Sequence, residues 1–304
     1  MPEALQTTGF ALVIDRLAAR LAARPLRFRR SVLYGGFAAI SFLPHFRAPR
    51  GLVELLANGL RMPRRAARRV ARQVVRHDLL FALEWLSLAH RSYTELLADA
   101  RAVKVVNEEI FEWVSEQRGA VLGTIHAGAY PAAIAYLVHT FFRGRSVVIF
   151  KTKAGTPEEQ LAVDALRSAG IDLEIVLLDG EPDFLGLFRK LRRGAVLFTL
   201  VDLPGSYGKA IPCDLLWAPA LLTVGSVDIA AACGVPLLLF DTVSSATHEV
   251  ITARSVVIAS GGAQAKSAAE ATLISFVDNR IRERPEQWHL WERLNEFRAG
   301  VLAA

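Results

Sequence analysis

The stretch GTIHAGAYPAAIA (residues 123–135) carries an apolar run, AVLGTI, straight into a histidine, His126, set among glycine and alanine. An imidazole at a strand end, uncrowded by large neighbours, is placed to take a proton from a reacting group. Such a base ordinarily has a carboxylate that fixes its tautomer and stabilises the imidazolium. None stands in this segment, and the position one further turn of chain away is Pro131. Asp202 ends another apolar run, AVLFTLV, and precedes LPGSYGK. Lys151 and Lys153 in FKTK follow a third run, and Asp179 follows a fourth. Lysines there act either as solvated surface groups or as anion-binding groups for a phosphate.

Other chemistries find little support. GSYGK (205–209) lacks the spacing of a P-loop, and Ser226 in VGSVD lacks the Gly-x-Ser-x-Gly elbow of serine hydrolases. Cys213 and Cys233 are the only cysteines and have no metal or redox spacing, so no disulfide framework or zinc site is expected. His45, His77, His90, His139, His248 and His289 have no partner spacing and read as structural. Glu108, Glu109 and Glu112 read as a solvated helix face.

The elements that must position His126 and Asp202 are strands. GAVLGTI (119–125), SVVIF (146–150), LEIVLL (173–178), AVLFTLVD (195–202), VPLLLFDTV (235–243) and HEVITARSVVI (248–258) have strand texture. Helical stretches at 131–142, 156–169, 183–193 and 222–233 separate the first five. The expected fold is α/β, a mainly parallel sheet covered by helices, with ligands at the carboxyl ends of the strands. Gly119, Gly170, Gly194 and Gly234 are expected to end helices. Residues 267–291 supply a closing helix that ends near Pro285. Residues 1–105 form a basic helical N-terminal region packing on the core, and 106–304 the α/β domain.

Charge is concentrated in that first region. Between Arg16 and Arg76 there are 15 arginines, no lysine and one acid, Glu54, within a chain of net charge +6. RMPRRAARRVARQVV (61–75) reads as an amphipathic helix whose arginines form a solvated face or meet anionic phospholipid. No helix-turn-helix, zinc finger or aromatic-basic strand accompanies the charge, so nucleic acid is not an expected partner. The longest early apolar run, 31–44, is short of the roughly 20 residues a spanning helix needs. The N-terminal sequence has no cationic segment before its short apolar stretch and does not read as a secretory signal.

Three blocks together resemble the lipid A late acyltransferases, within the lysophospholipid acyltransferase superfamily. His126 with Gly128 matches the family's His-x4-Asp/Glu stretch; VDLPGSYGKAIPCDLLWAPALLTVGSVDIAAACGVPLLLF (201–240) is similar to its Asp-Gln…Gly segment; IRERPEQWHLWERL (281–294) is close to its terminal Ile-Arg-x-x-Pro-Glu-Gln-Trp-x-Trp. The resemblance runs from about 30 to 294. It implies a thioester donor, acyl carrier protein or acyl-coenzyme A, no other cofactor, and an acceptor at a membrane surface. It gives His126 the role of general base and places Asp202 and Gly205 at the site. Tyr130, Lys151, Lys153 and Arg167 are then expected on the substrate, Arg167 because the family carries an arginine in its next helix.

The chain departs from the family where Pro131 replaces the acid and Ala129 and Tyr130 replace Asn-Trp. Three readings follow. Asp202 or Tyr130 orients His126; the acceptor is an amine or specialised-metabolite hydroxyl that needs less activation; or the scaffold only binds acyl chains or carriers, or hydrolyses the thioester. The expected location is cytoplasmic, peripheral at the inner face of the plasma membrane.

Overall fold

The computed structural model describes residues 16–40, 48–88, 90–151, 157–168, 170–178, 182–259 and 261–298. It is an α/β fold built on a seven-stranded sheet, with arginine-rich helices in the N-terminal part. The strands are β1 (Val103–Val106), β2 (Ala120–Thr124), β3 (Val147–Lys151), β4 (Leu173–Leu177), β5 (Val196–Leu200), β8 (Leu237–Ser244) and β9 (Glu249–Val257), in the order β1-β9-β8-β2-β5-β3-β4. β8, β2, β5, β3 and β4 run parallel, while β9 is antiparallel to β8 and carries β1 parallel to itself. β2 is buried along its whole length, as a central strand covered on both faces must be.

The chain order makes the cleft. From β2 the chain goes out to β3 and β4, returns to insert β5 beside β2, and then crosses to β8 on the other flank of β2. This reversal of direction leaves a crevice at the carboxyl ends of β2 and β5. Thr124 pairs with Leu200, and the Val201 N–H donates to the Thr124 carbonyl at 2.8 Å. His126 and Asp202 therefore leave the sheet side by side.

Helices of the described residues carry the remaining packing, among them α1 (Leu26–Ile40), α2 (Arg50–Gly59), α3 (Arg64–Leu88), α4 (Tyr93–Ala100), α5 (Glu108–Ser115), α6 (Tyr130–Phe141), α7 (Pro157–Ser168), α8 (Phe184–Arg193), α9 (Gly225–Cys233) and α10 (Ala263–Glu283). Ala67, Ala71 and Val74 recur at helical spacing on α3 and are buried in the same core as Val121, Leu197 and Leu239 of the central strands. The boundary expected between 105 and 106 falls inside β1. Among the described residues no helix is long and apolar enough to cross a membrane.

Three features differ from the sequence reading. A two-stranded hairpin, β6 (Ala210–Leu215) and β7 (Ala218–Thr223), occupies a stretch with no hairpin signal, so the helix expected from 222 starts at Gly225. Its two-residue turn places Leu216 and Trp217 at positive φ, where glycine or asparagine is usual. The Leu216 N–H donates to Asp278 Oδ1 at 2.8 Å, and the guanidinium of Arg282 lies 3.7 Å from the Trp217 ring centre, which holds the turn without those residues. Gly119 is no helix cap: α5 ends before it, and a Cβ there would stand 2.1 Å from the Leu191 carbonyl oxygen. Only glycine permits that approach. Arg29 and Arg30 do not belong to a basic surface; both are fully buried. Arg29 bonds Glu84 and Asp99, Arg30 bonds Glu84 and Glu249, and Arg91 pairs with Asp99.

The C-terminal segment closes over the sheet through α3. Gln287 Oε1 accepts from the Ser244 N–H at 3.0 Å, and its Nε2 donates to His77 Nε2 at 3.1 Å and to the Ser244 carbonyl at 3.2 Å. Burial, assisted by Arg76, His289 and Arg30, pushes the His77 imidazole down from 6.5 to about 3. Protonation in the unfolded chain near pH 6.5 thus precedes protonation in the folded one. The contribution of neutral His77 is complete above about pH 6.5 and is lost as pH falls towards 3. The loss amounts to about 5 kcal/mol at most. Urea unfolding at pH 7, 5 and 4 should show stability falling in the wild type and falling less steeply in His77→Gln. Equal slopes would remove His77 from the account.

Candidate active site

His126 leaves β2 two residues past its last paired position, and the chain must then turn sharply into α6. Gly128 makes that turn with φ of +59°, and a Cβ there would lie 2.9 Å from the Thr242 carbonyl oxygen. Glycine is required on both counts. Thr242 Oγ1 donates to the Ala127 carbonyl at 2.6 Å, tying the loop to β8.

Asp202, wholly buried, stands beside His126. Its Oδ1 stands 2.8 Å from His126 Nδ1, and its Oδ2 accepts from the His126 backbone N–H at 2.9 Å and from Trp288 Nε1–H at 2.8 Å. A carboxylate only accepts, so Nδ1 carries a proton towards it and the lone pair of Nε2 is left for the other side of the ring. Among the described residues Nε2 has no protein partner, and the ring lines a cavity. Of the sequence alternatives for the missing acid, the geometry selects Asp202. Tyr130 meets the His126 ring edge-on at 5.7 Å between centroids. Desolvation and the Asp202 charge raise the pKa of its phenol.

The terminal block IRERPEQWHLWERL (281–294) clasps this loop. Ala127 bridges Trp288 across an antiparallel contact, the His289 N–H donates to the His126 carbonyl at 2.8 Å, and the Gly128 N–H donates to the Gln287 carbonyl at 3.2 Å. Trp288 is fixed edge-on against Trp291 at 5.0 Å. Pro285, Gln287 and the two tryptophans therefore have a structural task around His126, and Trp288 adds a direct bond to Asp202.

The cavity has a volume of about 450 Å³ and is walled mainly by apolar side chains of α3, α6, α7 and β3–β5, among them Trp85, Ile134, Val163, Ile149 and Ile175. Polar groups on its wall include His126, Tyr130, Lys151, Thr199, Tyr207 and Arg293. Lys151 ends β3 as expected, and burial lowers its pKa. Arg293 donates to the Tyr207 hydroxyl and to Glu296, which raise its pKa against the cost of burial.

Other expected site residues are placed elsewhere. Arg167 is not on the cavity wall: its Nε donates to the Leu173 carbonyl at 2.9 Å, joining the end of α7 to the start of β4. Gly205 lies in a short 3-10 turn where a Cβ would meet Leu221 Cβ at 3.0 Å, a packing position against β7. Lys153 and Asp179 lie outside the described residues. Among the described residues no group of His, Cys, Asp and Glu could hold a metal ion.

Sequence reading missed the aromatic layer on α3. Phe81 stacks on Trp85 at 6.0 Å and on Tyr130 at 5.3 Å, so the arginine-rich helix ends as a wall of the cavity. The signal was the change from RRAARRVARQVVR to LLFALEWLSL within one helix. Comparison with models of known protein families and with curated protein sequences finds no match to this chain.

Proposed function

We propose that the protein is an acyltransferase that moves an acyl group from a thioester, on acyl carrier protein or coenzyme A, to a nucleophilic acceptor. The observation that carries this reading is the 2.8 Å His126–Asp202 pair on the wall of a deep, mostly apolar cavity. The cavity suits a hydrocarbon chain, and the dyad suits an acceptor that must lose a proton as it attacks.

In the reaction, the acceptor's X–H proton passes to His126 Nε2 while X attacks the thioester carbonyl carbon. The tetrahedral intermediate collapses with breakage of the C–S bond, and the imidazolium returns the proton to the departing thiolate. Asp202 holds the ring and stabilises its cationic form throughout. The products are the acylated acceptor and a free thiol. The acceptor is an amine or a specialised-metabolite hydroxyl; water in its place gives hydrolysis.

Exposed Arg61, just before α3, and Arg64, Arg65, Arg68, Arg69 and Arg72 in its first turns form the surface proposed to meet an anionic membrane. The same helix reaches the cavity through Phe81 and Trp85, which would bring the site to the interface where an acyl acceptor resides.

Thiol release from a panel of acyl-coenzyme A and acyl-carrier thioesters tests the chemistry, with amine and hydroxyl acceptors added in turn. His126→Ala should abolish acceptor-dependent release, and Asp202→Asn should lower it by about 10⁴-fold. Full activity in His126→Ala would remove His126 as the base, no thiol release from any thioester would move the protein to the binding class, and release without any acceptor would make it a hydrolase.

Pro131→Glu should leave turnover unchanged or reduce it, because Asp202 already occupies Nδ1. A proline in the first turn gives up no helix bond, so its loss should not unfold the chain. A gain in transfer to a sugar hydroxyl would show that the acid at 131 was simply missing.

Sedimentation with vesicles should show binding that requires anionic lipid and is released by raising salt to about 0.5 M, where screening is strong. Basic residues near such a surface contribute about 1 kcal/mol each. Binding indifferent to lipid charge would leave these arginines a solubilising role or a docking role for an acidic carrier.

A further inference from the structure

The peptide group between Gly128 and Ala129 is held at both ends by distant residues. Its N–H, on Ala129, donates to Ser244 Oγ at 2.8 Å and to Glu249 Oε1 at 3.1 Å. Its carbonyl, on Gly128, lies 3.0 Å from His289 Nε2. His289 Nδ1 in turn lies 2.7 Å from Asp78 Oδ1 on α3. A backbone carbonyl and a carboxylate both accept, so this arrangement uses an N–H on each nitrogen of the His289 ring. The ring is well buried and packs on Phe81 at 4.6 Å, and Phe81 stacks on Tyr130, which meets His126.

We propose that His289 is a positioning residue for His126: its ring, held on the other side by Asp78, bonds the Gly128 carbonyl and, with Ser244 and Glu249 on the opposite end, locks the peptide that follows His126. The turn at Gly128 needs such a lock. Glycine is the most permissive residue type, and a swing of this peptide would carry His126 away from Asp202. The His289 backbone already fixes the His126 carbonyl at 2.8 Å. Its side chain then fixes the next free carbonyl along the turn. His289 does not touch the reacting atoms: its effect passes through the orientation of His126.

Glutamine and asparagine separate this role from packing. The terminal nitrogen of glutamine reaches about as far from Cβ as Nε2 does, so His289→Gln keeps a donor for the Gly128 carbonyl and gives up Asp78. Asparagine reaches only as far as Nδ1, so His289→Asn keeps Asp78 and gives up the carbonyl. The inference rests on acyl transfer for its catalytic meaning, so one readout is independent of turnover: the rate at which diethyl pyrocarbonate modifies His126, followed by mass spectrometry of its peptide. The other readout is kcat and KM for myristoyl-coenzyme A.

His289→Asn should slow His126 modification by about 5-fold or more and lower kcat by about 10–100-fold, with KM within about 2-fold, as expected of a misplaced base. His289→Gln should stay within about 3-fold of the wild type in both readouts. An unchanged or faster modification rate in His289→Asn overturns the proposal. So does an equal loss in both variants, or a loss that follows their melting temperatures. If the expected order of modification rates appears in a protein that releases no thiol, the positioning role stands and the acyl-transfer reading falls.

Discussion

A buried carboxylate is costly unless its lone pairs are met, and Asp202 has no solvent at all. Three N–H groups meet it: the His126 backbone, the His126 ring and the Trp288 indole. Each comes from a different constraint on the chain. The first two require β5 to lie beside β2, with both strands ending in register. The third requires the C-terminal segment to return over the sheet after α10. Satisfying one charge thus commits the order of the central strands and the course of the last residues. The ring bond among them also defines the His126 tautomer, so a feature that permits burial also leaves Nε2 for the cavity.

A second buried charge set does for the N-terminal helices what Asp202 does for the sheet. Arg29, Arg30 and Arg91 are matched by Glu84, Asp99 and Glu249, with links running from α1 through α3 and α4 to β9. The charges balance, and removing one would leave a buried partner uncompensated at a cost of about 3–5 kcal/mol. Glu249 carries this network to the turn that follows His126, since its carboxylate also receives the Ala129 N–H. The helical layer is therefore continuous with the site.

The sheet was legible because its strands are short apolar runs separated by amphipathic helices, as in AVLGTI and AVLFTLVD. His126 was legible because a polar residue at the end of such a run faces the cleft wherever parallel strands end. Asp202 was one of two acids or phenols that could serve it, and composition could not choose between them: the pair is 76 residues apart and depends on β5 inserting between β2 and β3. The β6–β7 hairpin was hidden because leucine and tryptophan occupy its turn, held by Asp278 and Arg282 from α10. Arg29 and Arg30 were hidden among surface arginines of the same type. His77 and His289 were read as structural because their partners, Gln287 and Asp78, lie more than 200 residues away in the chain. In each case the missing information was a long-range partner, which no local pattern records.

Because Asp202 already holds His126 Nδ1, the ring needs no acid from the first turn of α6, where the sequence has Tyr130 and Pro131. Proline in that turn gives up no helical bond and adds no charge. The loop still needs an anchor at this point, and it comes from outside the helix, through Ser244 and Glu249 on the Ala129 N–H and His289 on the Gly128 carbonyl. The contact that orients the His126 ring and the contacts that anchor its loop are thus supplied by separate residues on different elements.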